Sequence, residues 1–483
     1  MGAIAAAVNK KGENVVPYVA TILKELTHRG ADVHGIATPN SVEMAKTLGS
    51  LSIEKVESDI ALGYNFSSRQ SQGSPQPVLG GNFALIFEGR FFPPSKTPGT
   101  DEIVERLTPD PEIQARNIIG KLDGSYVLAV ALHNKVLAGR DITGVNSLYY
   151  GENDTICAIA SEQKALWTVG IINVKSFPPG NLAIIDASGF TFQPVKAITQ
   201  PFVQTIDIDS AAEQLQRLLL ESTRKRVADI DKVTVAFSGG LDSSLIAFLA
   251  KLCKVEVHLI TVGLEGQPEM QSAKLAAEAM ELPISIQTYE VADVKQILSK
   301  VLWLIEAPDP VRAGIAVPFY WISEITSKMK YNVLFGGQGS DELFGGYKRY
   351  LKEYAKSPNT LKNTLFSDIA SAYETNFQRD IQVCSFHKIE LRLPFSDSKV
   401  VNFALSLPVN LKIESPQDTL RKRVLRQVAK NLEMPDFIVN KTKKAIQYTT
   451  GVQKALRKLA RKERMNLNEY INGVFQQVYL TQV

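Results

Sequence analysis

Hydrophobic and polar positions divide the chain near residue 195. Before that point, apolar runs of four to eight residues alternate with turn signals at Ala3–Val8, Phe83–Phe87, Tyr126–His133 and Leu182–Ile185. Helical periodicity is confined to Pro17–Leu26 and Glu112–Gly120. Strands in this pattern return by hairpins more than by crossovers, which predicts an α+β layered domain with antiparallel sheets. A Pro/Gln/Thr-containing stretch, Gln193–Asp207, reads as a linker. Beyond it an amphipathic helix, Ala211–Ala228, precedes an apolar strand, Val233–Phe237, and helices then alternate with strands at Val255–Val262, Ile284–Tyr289 and Asn332–Phe335. Strands separated by long helices predict a parallel sheet with right-handed crossovers. The remainder is mostly helical in pattern. The expected domains are 1–195 and 205–483.

Composition narrows the classes. At 483 residues the chain suits two to four domains, each with its own core. Its 54 Lys+Arg against 50 Asp+Glu exclude an acidic disordered chain and a uniformly basic one. Cys157, Cys253 and Cys384 lie far apart without a CxxC, which argues against disulfide scaffolds and cysteine-held metals. No apolar run approaches the length of a membrane span, and the start lacks the basic n-region of a signal peptide, so a cytoplasmic protein is expected. Charge is uneven in one place. Leu420–Met465 holds 14 Lys/Arg and 3 Asp/Glu. These are either solvated helix faces or cations that meet a polyanion, and a nucleotide triphosphate fits as well as nucleic acid.

The sharpest local signal is Ser238-Gly239-Gly240-Leu241-Asp242-Ser243-Ser244, between the strand Val233–Phe237 and an apolar-periodic helix Leu245–Leu252. A strand that enters a helix through glycines aims several backbone N–H groups and the helix dipole at one point, where an anion binds. Gly239 and Gly240 let the backbone approach phosphate oxygens, and Ser238, Ser243 and Ser244 offer hydroxyls. Asp242 would repel phosphate and makes sense as a Mg²⁺ ligand. The run resembles the pyrophosphate loop of the N-type ATP pyrophosphatases, which implies cleavage of ATP between its α and β phosphates and adenylation of a substrate oxygen.

Further motifs choose among such enzymes. The stretch Val333–Tyr347, reading Gly336-Gly337-Gln338-Gly339-Ser340-Asp341-Glu342-Leu343-Phe344-Gly345-Gly346, strongly resembles the asparagine synthetase signature, as do Arg379-Asp380 and Glu390–Asp397. His28–Asp32, Leu122–Gly124, Ala138–Gly144, Leu148–Gly151 and Ala160–Leu166 are similar to that family's glutamine amidotransferase half. The resemblance implies an N-terminal sandwich like the N-terminal-nucleophile hydrolases and a C-terminal α/β domain of the adenine-nucleotide α-hydrolase type. It also implies Asp341 as a second metal carboxylate facing Asp242, and Phe237, Val262, Gly336 and Gly337 at the adenosine. Lys443, with Lys444 as the one-residue alternative, matches the lysine that offsets charge on the adenylate. Gln338 stands where many members carry a Glu proposed as base, and an amide cannot take a proton.

The same resemblance exposes losses. The family's nucleophile is a cysteine at position 2; here that residue is Gly2. The Asn-Gly-Glu of the oxyanion hole aligns with Glu88-Gly89-Arg90, where a carboxylate has the wrong sign. The Arg that holds glutamine's carboxylate aligns with Phe66, with Arg69 available only after a shift, while Asp101 keeps the acidic position for glutamine's amine. β-Lactam synthetases share this pattern of a retained half without the cysteine.

The reading is an ATP- and Mg²⁺-dependent amide ligase that forms an acyl-adenylate, by default aspartyl-AMP, attacked by ammonia. A separate ammonia-supplying glutaminase is compatible with it. An amide or lactam synthetase on another carboxylate, a tRNA-adenylating enzyme and a non-catalytic ATP-binding regulator remain open. Partners are expected to be small molecules and a second copy in a homodimer, with no membrane and with nucleic acid disfavoured.

Overall fold

The structure, a computed structural model, describes residues 2–68, 74–94 and 99–480. Arg69 lies outside the described residues. The chain forms two compact units, Met1–Ile198 and Thr199–Val483.

The first unit contains two antiparallel sheets. One runs in the order Lys175–Ser176, Tyr149–Glu152, Ile156–Ala160, Ala3–Asn9, Ile60–Phe66, Val33–Ala37, Val42–Ala45. The other runs Gly189–Pro194, Asn181–Asp186, Lys135–Arg140, Gly124–Leu132, Ala84–Phe91, Val78–Leu79. Gln193 and Pro194 thus belong to a strand and not to the linker. The period of two sorts each strand between layers. Ile4, Ala6 and Val8 join Ile86, Val127 and Ala129 in the core between the sheets. Ala3, Ala5 and Ala7 face the opposite way, against Val16, Val19 and Leu23 of the helix Val16–Glu25. On the second sheet's outer face Leu85 and Leu128 pack on Ile103 and Ile119. The result is a helix–sheet–sheet–helix sandwich, and a strand buried on both sides accounts for the alanine-rich sequence Ala3–Val8.

The second unit is built on a parallel sheet in the order Ile284–Tyr289, Glu256–Leu264, Lys232–Ala236, Val333–Phe335, Glu390–Arg392. The fifth strand lies inside the stretch whose pattern reads as helical. Three residues are too few to show a period, and Arg392 is held there by Asp229 at 2.7 Å and Glu390 at 2.8 Å. Chain order reverses between Lys232–Ala236 and Val333–Phe335. At such a switch point adjacent connections leave in opposite directions, and a crevice opens beyond the strands' carboxyl ends.

Candidate active site

Both signature runs enter that crevice. Ser238 follows the strand Lys232–Ala236 by one residue, and Gly336 directly follows Val333–Phe335. The helix after the first run begins at Leu241, four residues earlier than its apolar periodicity indicates. Gly240 is its N-cap, so Leu241, Asp242 and Ser243 form its first turn, whose N–H groups have no intrahelical acceptor, while Ser244 N already donates to Gly240 O at 3.0 Å. Gly239 adopts φ +61°, and a Cβ there would lie 2.9 Å from Ala273 Cα. The Ser243 hydroxyl accepts from Ser238 N at 3.2 Å and donates to Gly240 O at 3.3 Å, which closes the turn. Ser244, expected to offer a hydroxyl to phosphate, is fully buried and lines neither of the two cavities beside the turn.

A cavity of about 810 Å³ opens beside the turn, lined in part by Phe237, Val262, Gly337, Gln338, Asp341 and Lys443. A second, of about 300 Å³, is lined by Gly240, Leu241, Lys422, Arg426 and Lys441 among others. Ser238, Asp242, Lys443 and Lys444 line both, so the two meet at Asp242. Gly239, Ser244 and Gly336 line neither.

At that junction two carboxylates and two ammonium groups interlock. Lys422 Nζ lies 2.7 Å from Asp242 Oδ2 and 2.5 Å from Asp341 Oδ1. Lys443 Nζ lies 2.7 Å from Asp341 Oδ2 and 3.9 Å from Asp242 Oδ2. Ser340 Oγ donates to Asp242 Oδ1 at 3.0 Å. Burial raises the Asp341 carboxyl, but Lys422 and Lys443 outweigh it and hold the group well below the usual carboxylate range. Burial lowers the Lys443 ammonium, and Asp341 and Asp242 outweigh that, so it stays charged. Lys444 instead reaches Glu269 at 3.0 Å. Gly346 is required here: a Cβ would lie 1.8 Å from Asp341 Oδ1 and 2.4 Å from Lys422 Cε.

Lys422 is the residue that motif reading does not reach. It and Arg421 both have φ +55°, a left-handed conformation that costs a non-glycine residue energy and persists only where surroundings impose it. Asp418 Oδ1 accepts from the N–H groups of Leu420 and Arg421, Arg421 Nε donates to Gly346 O at 3.0 Å, and Arg426 Nε donates to Arg421 O at 2.7 Å. Lys441 Nζ donates to Gly239 O at 3.0 Å and Ser272 Oγ at 2.7 Å, tying the basic segment to the turn.

The far end of the larger cavity is polar. Glu342 Oε1 accepts from Tyr347 OH at 2.6 Å and Asn376 Nδ2 at 2.8 Å, and burial and then Asp341 push its carboxyl up. Gln338 Nε2 donates to Asp380 Oδ2 at 2.9 Å, and Arg379 holds Asp380 through two bonds of 2.7 and 2.9 Å. Arg312, in the first turn of the helix Pro310–Lys328, lines the cavity with no carboxylate partner among the described residues and a buried Nε that donates to nothing.

A model of the asparagine synthase family matches residues 214–364 and 355–483. The chain belongs to the asparagine synthase family. This asparagine synthase family member is therefore an ATP-dependent carbon–nitrogen ligase. It is 28% identical to the Methanocaldococcus jannaschii protein named "Putative asparagine synthetase (glutamine-hydrolyzing) 1", over 98% of each chain. It is also 28% identical to the asparagine synthetases (glutamine-hydrolyzing) of Sandersonia aurantiaca, over 71% of this chain and 67% of that one, and of Rattus norvegicus, over 63% and 60%. Among the described residues no helix is long and apolar enough to cross a membrane.

In the first unit two of the residues aligned with glutaminase positions, Gly2 and Glu88, belong to a closed buried cluster around Arg29. Arg29 donates to Glu88 Oε1 at 2.7 Å, Glu162 Oε1 at 3.2 Å and the Gly2 carbonyl at 3.0 Å. Ser161 Oγ donates to Glu88 Oε2 at 3.2 Å. The Glu88 charge is thus neutralised internally and does not stand free at an oxyanion position. Phe66 is buried in the core between the sheets, and Asp101 is exposed on the helix Gly99–Leu107. Arg90 is half-buried. A Cβ on Gly2 would lie 2.3 Å from the Asn65 carbonyl oxygen and 2.6 Å from Tyr64 Oη, so a cysteine side chain has no room.

Proposed function

We propose that the second unit condenses ATP with a carboxylate, by default aspartate, to an acyl-adenylate that ammonia converts to an amide. The observation that carries this reading is the junction of Asp242, Asp341, Lys422 and Lys443 between the two cavities. Adenosine fits the larger cavity beside Phe237 and Val262, and the β and γ phosphates fit the smaller one, among Lys422, Arg426 and Lys441. The α-phosphate then lies near Lys443. A substrate carboxylate oxygen attacks that phosphorus, the bond to the bridging oxygen breaks, and pyrophosphate leaves with the electron pair. Ammonia next adds to the activated carbonyl, loses a proton and expels AMP. Lys443 offsets negative charge on the α-phosphate in both steps, and the first-turn N–H groups of Leu241–Ser243 face the departing phosphates.

Two carboxylates and the Ser340 hydroxyl supply hard oxygen donors, and among the described residues no group of three or more His, Cys, Asp or Glu could hold a metal by itself. Those donors are of the kind Mg²⁺ takes, one or two carboxylates with phosphate and water completing the shell, and the ion would displace Lys422 and Lys443 from the carboxylate oxygens they now occupy. Asp242 and Asp341 would hold the ion, which would neutralise charge on the phosphates. Arg312 is the unpaired cation for the acceptor's carboxylate, because a guanidinium matches a carboxylate fork.

The first unit supports a sandwich of the N-terminal-nucleophile hydrolase type, retained without glutaminase chemistry: Gly2 carries no nucleophile and Arg29 closes its surroundings. The test is AMP and pyrophosphate release from Mg²⁺-ATP and aspartate with ammonium, with glutamine, or with neither. AMP that tracks asparagine with ammonium alone is expected. Equal turnover with glutamine would overturn the closed first unit, and no aspartate-dependent AMP under any condition would overturn aspartate as the substrate.

A further inference from the structure

Twelve of the fourteen cations of the basic segment fall into two groups in the structure; of the other two, Arg423 pairs with Glu414 and Lys430 is exposed on the helix Arg423–Asn431. Arg421, Lys422, Arg426, Lys441, Lys443 and Lys444 face the site or brace it. Lys454, Arg457, Lys458, Arg461, Lys462 and Arg464 do neither. All six are exposed, on and just beyond the helix Val452–Lys462, and none has a side-chain ion-pair or side-chain hydrogen-bond partner among the described residues. The opposite face of that helix, Val452, Ala455, Leu456 and Leu459, is buried in the unit.

A face that only needs hydration tolerates either sign and usually mixes them. This one does not. Between residues 454 and 464 its single acid is Glu463, which pairs with Lys295 of the neighbouring helix Val291–Ile305. Like charges four apart, Lys454 with Lys458, Arg457 with Arg461, and Lys458 with Lys462, weaken the helix. Lys454 also sits in the first turn, where the helix dipole opposes a cation. We infer that this face binds the sugar–phosphate backbone of a nucleic-acid strand. Cations four residues apart repeat about every 6 Å along the axis, in two adjacent rows. A polyanion removes their mutual repulsion and releases counterions.

The face selects this class over two others. Protein interfaces enrich aromatic anchors and deplete lysine, and no aromatic or aliphatic side chain is exposed between Lys454 and Arg464. Insertion into a lipid surface needs an apolar flank beside the cations; the single exposed Met465 that follows Arg464 is too little to form one.

The test is fluorescence anisotropy of the full chain with a labelled single-stranded RNA, with pyrophosphate present to fill the site. If four phosphates are neutralised, affinity falls about 50-fold between about 50 and 200 mM salt. Combining Lys454→Gln, Arg457→Gln, Lys458→Gln and Arg461→Gln should abolish most of the binding and of its salt slope, while AMP formation and the melting curve stay as in the parent. The single substitution Lys458→Glu repeats the test with less risk to the fold and should weaken binding several-fold. Salt-insensitive binding, or binding unchanged in both variants, would overturn the inference. Polyglutamate or phosphatidylserine vesicles that bind this face more tightly than RNA would reassign it to an acidic protein or a membrane and overturn it too.

Discussion

The Lys422 ammonium lies 2.7 Å from Asp242 Oδ2, joining positions 180 residues apart in the chain. The same ammonium lies 2.5 Å from Asp341 Oδ1, so one nearly buried cation holds the turn after Lys232–Ala236 against the turn after Val333–Phe335. Each carboxylate also has Lys443 within 4 Å. With one lysine alone, the two acids would repel across the crevice when no nucleotide is bound.

Lys422→Met should therefore damage both stability and chemistry. Removing one partner of a buried ion pair costs about 3–5 kcal/mol, because the remaining charge stays desolvated. Loss of a cation aimed at developing phosphate charge costs about 100-fold or more in turnover. Urea unfolding at neutral pH and the rate of AMP formation measure the two separately. A variant with parental stability and rate would remove Lys422 from the site.

The same pairs set a pH dependence whose sign is fixed. The Asp341 carboxyl is lower in the folded protein than in the unfolded chain, so its contribution is present above about pH 4 and is lost as pH falls through the folded value. The Lys443 ammonium is raised, so its contribution is present below about pH 10 and is lost as pH rises through the folded value. The two describe one shared interaction, counted once. Asp341→Asn should be clearly less stable than the parent near neutrality, and the difference should shrink in acid. A constant difference from neutral pH to pH 3 would mean that Asp341 is not ion-paired in solution.

Local chemistry makes much of this site legible in the sequence. The strand–glycine–helix run places Ser238 to Ser243, and Asp341 lies in a signature that carries its own glycines. The early start of the helix at Leu241 was hidden because its first turn is polar, as a turn facing a crevice must be. Lys422 was hidden for a different reason. It lies on no periodic element, and its left-handed backbone is imposed by Asp418, Arg426 and Gly346, none of which is near Asp242 in sequence. Glu88 misled in the other direction: its charge opposes an oxyanion, but the Arg29 that neutralises it is 59 residues away.

Arg312 is the one unpaired guanidinium found on the larger cavity's wall among the described residues, which gives it a specific kinetic signature. Charge-assisted hydrogen bonds contribute about 1.5–3 kcal/mol each. Arg312→Gln should raise KM for the carboxylate substrate about 10- to 100-fold while ATP binding in its absence changes little. Arg312→Lys keeps the charge but not the fork and should recover part of the loss. If ATP binding weakens as much as KM rises, the guanidinium serves the nucleotide and not the acceptor.

Restoring the missing nucleophile should fail for a steric reason that the sequence does not display. In Gly2→Cys the new Cβ meets the backbone carbonyl of Asn65 at 2.3 Å and the Tyr64 ring at 2.6–2.7 Å, and neither can yield cheaply because both belong to the strand Ile60–Phe66, paired on both sides. Overpacking of this kind costs about 1–3 kcal/mol. Even where the strand gives way, Arg29 still bonds the Gly2 carbonyl, Glu88 and Glu162, and the carboxylate at Glu88 has the wrong sign for a tetrahedral oxyanion. The variant should melt below the parent and release no glutamate from glutamine. Combining it with Glu88→Asn should not rescue hydrolysis, because that change leaves Arg29 with less compensation in a buried position. Measurable glutaminase activity in either variant would show that the first unit opens in solution and that its closed cluster is not what silences it.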